Sequence, residues 1–140
     1  MFDRDYAIES FIRGHKAILS QIDQVQNHLR FFYKARIQLR NLNDVLSSHL
    51  KRQDEKLFLF LQEHYKDDGK SLKMIEFLIH DLKELRIHAL TFWDKYMMAT
   101  GDVMERNFSK DFVEFSKAIL TRLDIEEQYL FPLIEGTKRE

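Results

Sequence analysis

The sequence contains no cysteine, which excludes disulfides, thiolate zinc sites and cysteine nucleophiles. It has one proline and four glycines in 140 residues, too few breakers for a protein of short strands and turns. A Gly-x-Ser-x-Gly elbow and a phosphate-cradling glycine loop are also missing, so neither hydrolase nor nucleotide chemistry has a motif to rest on. No apolar run is long enough to span a bilayer. No block of one charge sign stands out: 22 Lys and Arg are interspersed with 23 Asp and Glu, which leaves nucleic-acid binding without an electrostatic footprint. The opening residues, Met1-Phe2-Asp3-Arg4-Asp5, carry acids rather than a signal-type apolar segment, so the expectation is a soluble, cytoplasmic protein. What is present is Leu, Lys, Glu and Phe in quantity. At 44% hydrophobic, residues 1–140 can bury the core of one all-α domain.

Apolar positions recur at helical spacing in four rows. The first runs Ile8, Phe11, Ile12, Ile18, Leu19, Ile22 and Val25, with His15 in its middle. The second runs Leu39, Leu42, Leu46, His49, Gln53, Leu57, Phe60 and His64, and Asp67-Asp68-Gly69 stops it. The third runs Ile75, Leu78, Leu82, Leu85, Ala89, Phe92 and Tyr96, ending near Thr100-Gly101-Asp102. The fourth runs Phe108, Phe112, Phe115, Ile119, Arg122, Glu126 and Leu133; Pro132 strains its end. Short connections join antiparallel neighbours, so the expected fold is an up-down-up-down antiparallel four-helix bundle.

Two segments 73 positions apart look like copies of each other. His49-Leu-Lys-Arg-Gln53-Asp54-Glu55-Lys-Leu57-Phe58 overlays Arg122-Leu-Asp-Ile-Glu126-Glu127-Gln128-Tyr-Leu130-Phe131. A His and a carboxylate at i and i+4 share one helix face and can offer a metal ion an imidazole and a carboxylate. The first copy keeps the His and has Gln53 in place of the acid. The second keeps the acid and has Arg122 in place of the His. In the antiparallel arrangement these positions fall at one height. His15 and His49 are each 17 residues from Phe32, Gln53 and residue 80 are nearly symmetric about the second turn, and residues 80–84 mirror 122–126 about Val103. One site, or one polar layer, is expected there.

On these residues the chain resembles the hemerythrin-like, or HHE cation-binding, family. His15, His49 and the ending Ile125-Glu126-Glu127-Gln128-Tyr129-Leu130-Phe131-Pro132 carry the resemblance. It implies metal ligands at His15, His49 and Glu126, and a ligand from the third helix, most simply His80. The phase set by Leu78, Leu82 and Leu85 turns His80 away from the core. Gln53 and Arg122 depart from the family's ligand pattern, so an intact di-iron centre is not expected.

Two readings follow. In one, His15, His49 and Glu126 hold a single Fe(II), Mn or Zn ion, so iron is mononuclear at best, and the bundle senses metal, oxygen or redox state. In the other no metal remains. Arg122 reaches one turn along its helix to Glu126, and Gln53, His49 and His15 complete a buried hydrogen-bonded layer. The second reading is favoured, because a permanently charged guanidinium opposes a cation beside it. It suits a protein-interaction regulator. The chain is also similar to bacterial regulators of sigma D over Leu46-Ser-Ser-His49, Phe92-Trp93-Asp94 and Thr121-Arg122-Leu-Asp-Ile-Glu126-Glu127. A protein partner would fit the aromatic end Phe31-Phe32-Tyr33 with Arg30, Lys34 and Arg36 around it. His64 and His88 read as satisfied core histidines, His28 as surface, and Glu9, Glu63 and Glu84 as surface charge. No enzymatic activity is expected.

Overall fold

Helix-forming runs cover nearly all of residues 3–97 and 102–138, which are the residues that the computed structural model describes. The first helix, α1 (Arg4–Gln26), is opened by Asp3, whose carboxylate accepts from the Tyr6 N–H at 3.0 Å. α2 (Phe32–Arg52) follows a four-residue turn and begins at Phe31, which has extended backbone and no side-chain cap. α3 (Glu55–His64) and α4 (Gly69–Met97) start from Asp54 and Asp68, the second accepting from both the N–H and the hydroxyl of Ser71. Asp68-Gly69 thus begins a helix, where the sequence suggested only a stop. α5 (Asp102–Ile125) passes into a wide π turn (Glu126–Leu130), then α6 (Phe131–Glu135) and a 3-10 turn (Gly136–Lys138). Thr100 and Gly101, where the third row was expected to end, lie outside the described residues.

The described residues thus form four helical rods around one core, without strands: α1, α2 with α3, α4, and α5 with its π turn and α6. Among them no helix is long and apolar enough to cross a membrane. α1 packs on α2 and α6, and α4 on α2, α3, α5 and the π turn. The core is continuous from Val25, Phe92 and Phe108 at one end to Leu57, Leu61 and Ile134 at the other. Burying this many Leu, Ile and Phe side chains supplies the main driving force, at about 1.5–3 kcal/mol each relative to exposure. Two cross-ties fasten the C-terminal end: Arg4 Nη1 donates to the Thr137 carbonyl at 3.1 Å, and Tyr65 Oη to the Leu133 carbonyl at 2.6 Å.

Several expectations need correction. The second rod is not continuous. Gln53 leaves helical backbone (φ −92°, ψ 62°), and Asp54 restarts the helix by accepting from the Leu57 N–H at 3.0 Å. Asp is a strong N-cap, and Asp54-Glu55 in mid-helix was the available signal. Ile12 and Leu19 are exposed, because the inner seam of α1 is set by Phe11, His15, Ile18, Ile22 and Val25 and leaves them on its flank. In the fourth rod Leu130 and Ile134 are buried while Leu133 is only partly so. In a straight helix Leu133 would follow Glu126 on one face. The π turn, closed by the Phe131 N–H donating to the Glu126 carbonyl, inserts a residue and brings Ile134 there instead. Pro132 is the physical reason: it has no N–H, and its ring would crowd the carbonyl four residues back in a regular helix. His88 is exposed rather than in the core, and lies over the Phe115 ring at 5.2 Å. His64 is partly buried between Phe60 and Tyr65.

Candidate functional site

The two look-alike segments meet in the core around one carboxylate. Glu126, at the start of the π turn, is 0% exposed. His15 Nε2–H and His49 Nε2–H both donate to its Oε1 at 2.7 Å. Gln53 Nε2–H and Arg122 Nε–H both donate to its Oε2 at 2.8 Å. An ionised carboxylate has about four acceptor positions, and here four N–H groups fill them. The donors come from α1, from α2, from the joint that follows α2, and from α5.

Arg122 is the hub of the second half. It is 1% exposed and among the largest fully buried side chains. Beyond Glu126, its Nη2 donates to Gln53 Oε1 at 2.5 Å, and its Nη1 to the Leu78 carbonyl and Asp81 Oδ2 at 3.0 Å each. A guanidinium can only donate, so the Gln53 carbonyl oxygen must face it, which turns the Gln53 amide nitrogen toward Glu126. Breaking a buried pair of this kind by removing one partner costs about 3–5 kcal/mol.

His49 carries more information than its contacts suggest. Its Nε2 lies 2.7 Å from an ionised carboxylate and therefore bears the proton. The approach of Gln53 Nε2 to the same nitrogen at 3.3 Å is then packing between two donors. Its Nδ1 is buried with no hydrogen-bond partner among the described residues. Against that nitrogen lies the backbone of Gly14, where a Cβ would come within 2.7 Å of it. The unpartnered Nδ1 is covered by a glycine that lets α1 approach α2. Phe11 stands edge-on to the ring at 5.6 Å.

His15 differs. Its second nitrogen, Nδ1, faces Glu127 Oε1 at 3.3 Å, so both ring nitrogens point at carboxylates, and Phe131 stacks on the ring at 5.3 Å. Burial disfavours charge on His15, but the hydrogen bonds and charges of Glu126 and Glu127 outweigh it and raise the pKa above the ordinary 6.5. Burial likewise opposes charge on Glu126, yet the hydrogen bonds from His15 and His49 and the Arg122 charge hold its carboxyl well below the usual range.

The geometry bears directly on a metal. The nitrogens of His15 and His49 and an oxygen of Glu126 lie within 4.8 Å of one another, so this buried group could hold an ion. His15 suits the role, since Glu127 could take its Nδ1 proton in the way outer carboxylates support metal-bound imidazoles. His49 does not. To ligate through Nε2 it would have to carry its proton on Nδ1, buried against Gly14 with no acceptor, at about 1–3 kcal/mol. Glu126 would have to give up donors, and Arg122 would stay charged beside the ion. As arranged, the donor set does not fit a metal centre. His80, the third-rod candidate, is not part of it: its side chain is 75% exposed and pairs with Glu84 at 3.6 Å.

Sequence reasoning brought His15, His49, Gln53, Arg122 and Glu126 to one level, and they are in mutual contact. It missed Gly14, Asp81 and Glu127. Asp81 had a signal, lying beside the Leu78 and Leu82 seam and within the stretch that mirrors residues 122–126. Glu127 had none in a regular helix, and Gly14 none beyond its place next to His15. No family model, no curated protein and no solved structure matches this chain. The hemerythrin-like resemblance is therefore neither strengthened nor removed by comparison.

Gly14→Ala should cost about 1–3 kcal/mol, because His49 is held by Glu126 and Phe11 and has little freedom to retreat. The expected readout is a lower urea midpoint at unchanged slope; wild-type stability would show that the ring has room to move. The pH response follows from His15. A raised folded pKa means its contribution is complete below 6.5 and is lost as pH climbs through the higher folded value. Glu126, with a depressed folded pKa, contributes above its ordinary 4.5 and adds no slope near neutrality. Urea midpoints should therefore fall as pH rises above 6.5, and His15→Gln should flatten that fall.

Proposed function

We propose that this chain is a regulatory binding module, a hemerythrin-like four-helix bundle with up-down-up-down order. In this reading its own hydrogen-bonded network has replaced the metal centre, and it acts through contact with a protein partner rather than by catalysis. The observation that carries the reading is Arg122: buried, and bound at once to Glu126, Gln53, Asp81 and the Leu78 carbonyl. It stands where a metal-binding bundle would need a neutral ligand. The similarity of Thr121-Arg122-Leu-Asp-Ile-Glu126-Glu127 to regulators of sigma D points the same way, since there too an Arg precedes the acidic stretch of the last helix.

The partner surface belongs at the start of α2. Phe31 and Tyr33 are exposed, as is Ile37 one turn on, while Phe32 turns inward against Phe108 and Tyr96. Lys34 sits over the Phe31 ring at 5.6 Å. No acid occurs between Asp23 and Asp44, so the segment that carries these aromatics contributes only cations beside them. Arg36 serves the fold instead, donating to the Met97 carbonyl. Exposed aromatics beside Arg and Lys are the composition of a binding surface.

A second reading, a single Fe(II), Mn or Zn ion, is favoured only by the proximity of His15, His49 and Glu126. Elemental analysis separates the two. The purified protein should carry substoichiometric transition metal, and one tightly held iron per chain that disappears in His49→Ala would overturn the regulator reading. Arg122→His combined with Gln53→Glu should create metal affinity if the site descends from a metal centre. For the partner surface, Arg30→Glu with Lys34→Glu should abolish capture of a chelator-insensitive protein partner, and unimpaired capture would remove this end from the reading.

A further inference from the structure

α4 carries more apolar surface than its own fold uses. Its inward row, Ile75, Leu78, Leu82, Leu85, Ala89, Phe92 and Tyr96, is buried. Ile87 and Leu90 belong to a different row and are 59% and 62% exposed. Lys83 and Asp94, also exposed, bracket them. Steps of four, three and four residues keep these positions on one narrow stripe of the helix. Leu59 of α3, 55% exposed, lines the same groove as Lys83 and widens the apolar surface at that end.

The two end charges have no ion-pair partner among the described residues. Three and four positions from Lys83 stand Ile79, His80, Arg86 and Ile87; around Asp94 stand Leu90, Thr91, Met97 and Met98. Neither charge therefore meets an opposite one along its own helix. The charged neighbours on α4 are engaged elsewhere: Glu84 with His80 at 3.6 Å, Lys95 with Asp111 at 2.8 Å, and Arg86 with the Leu50 carbonyl at 2.8 Å. Asp54 and Glu55 line the groove beside Lys83 and Arg86, but neither is within ion-pair distance of Lys83.

We propose that this stripe is a two-fold interface with a second copy of the chain, the two α4 helices running antiparallel. An isologous contact must be self-complementary: each residue meets the one equally far from the axis on the other side. Ile87 and Leu90 lie equally far from the midpoint between His88 and Ala89, and so do Lys83 and Asp94. One axis therefore sets Ile87 at the height of Leu90 of the second copy, and Lys83 at the height of Asp94 of the second copy, twice over. Had both end charges been of one sign, the same axis would oppose like charges. At 1.5 Å per residue the stripe is about 16 Å long, a small contact, so the dimer is a weak one. None of these residues belongs to the Glu126 network or to the start of α2, and the proposal does not depend on the regulator reading.

Sedimentation equilibrium on the full chain at low ionic strength tests it. A monomer–dimer equilibrium with Kd below about 1 mM is expected. Ile87→Gln with Leu90→Gln, both at exposed positions, should weaken it by at least about tenfold. Lys83→Glu alone and Asp94→Lys alone each oppose like charges at both ends and should weaken it by at least about fivefold. An equimolar mixture of those two single variants should dimerise within about twofold of wild type, because each copy then meets opposite charges, which no defect of folding could restore. A chain that stays monomeric at about 1 mM overturns the proposal. So does a smaller loss in any of the three variants, a mixture that falls short of that recovery, or assembly beyond a dimer.

Discussion

A carboxylate buried in an apolar core is costly unless every lone pair is met, and this constraint organises the centre of the molecule. Glu126 has no exposure, and its two oxygens take N–H groups from His15, His49, Gln53 and Arg122. No single helix could supply them. The rods must lie at one relative height for all four bonds to form, and a slip of one turn would strand a charge. The network therefore sets register in a core whose Leu and Phe contacts alone would tolerate several arrangements.

Arg122 makes that arrangement permanent. An ion can leave and a histidine can lose its proton, but a guanidinium keeps its charge at every pH the protein meets. Four of its five N–H donors reach Glu126, Gln53, Asp81 and the Leu78 carbonyl, so it ties α5 both to the joint after α2 and to α4. The centre behaves as a closed unit of one cation, acids and two imidazoles of different kinds. His49 turns an unpartnered Nδ1 against Gly14, and His15 is pulled toward the charged form by carboxylates on both sides.

Backbone irregularities coincide with this centre. The second rod breaks at Gln53, and the fourth widens into a π turn beginning at Glu126. These are equivalent positions in the two look-alike segments, and each carries a group that bonds across the core. Departures from regular helix gather where side chains must be aimed rather than merely packed.

Composition and periodicity were enough to define an all-helical chain with four rows of core positions, because helix-forming residues and a period of 3.6 are local properties. The mirrored spacing of His15, His49, Gln53, Arg122 and Glu126 was legible for the same reason: counting along rods needs no coordinates. What the chain could not declare in one dimension depends on neighbours in three. That Gly14 covers His49 Nδ1, that Asp81 and a main-chain carbonyl hold Arg122, and that Glu127 reaches His15 are outcomes of how the rods press together. So is the proton on His49 Nε2, and with it the reason why three metal-capable groups lie side by side in a geometry that does not suit a metal. The residue types were written in the sequence; whether they act as ligands or as hydrogen-bond donors was decided by packing, since only the fold determines which lone pairs are left free.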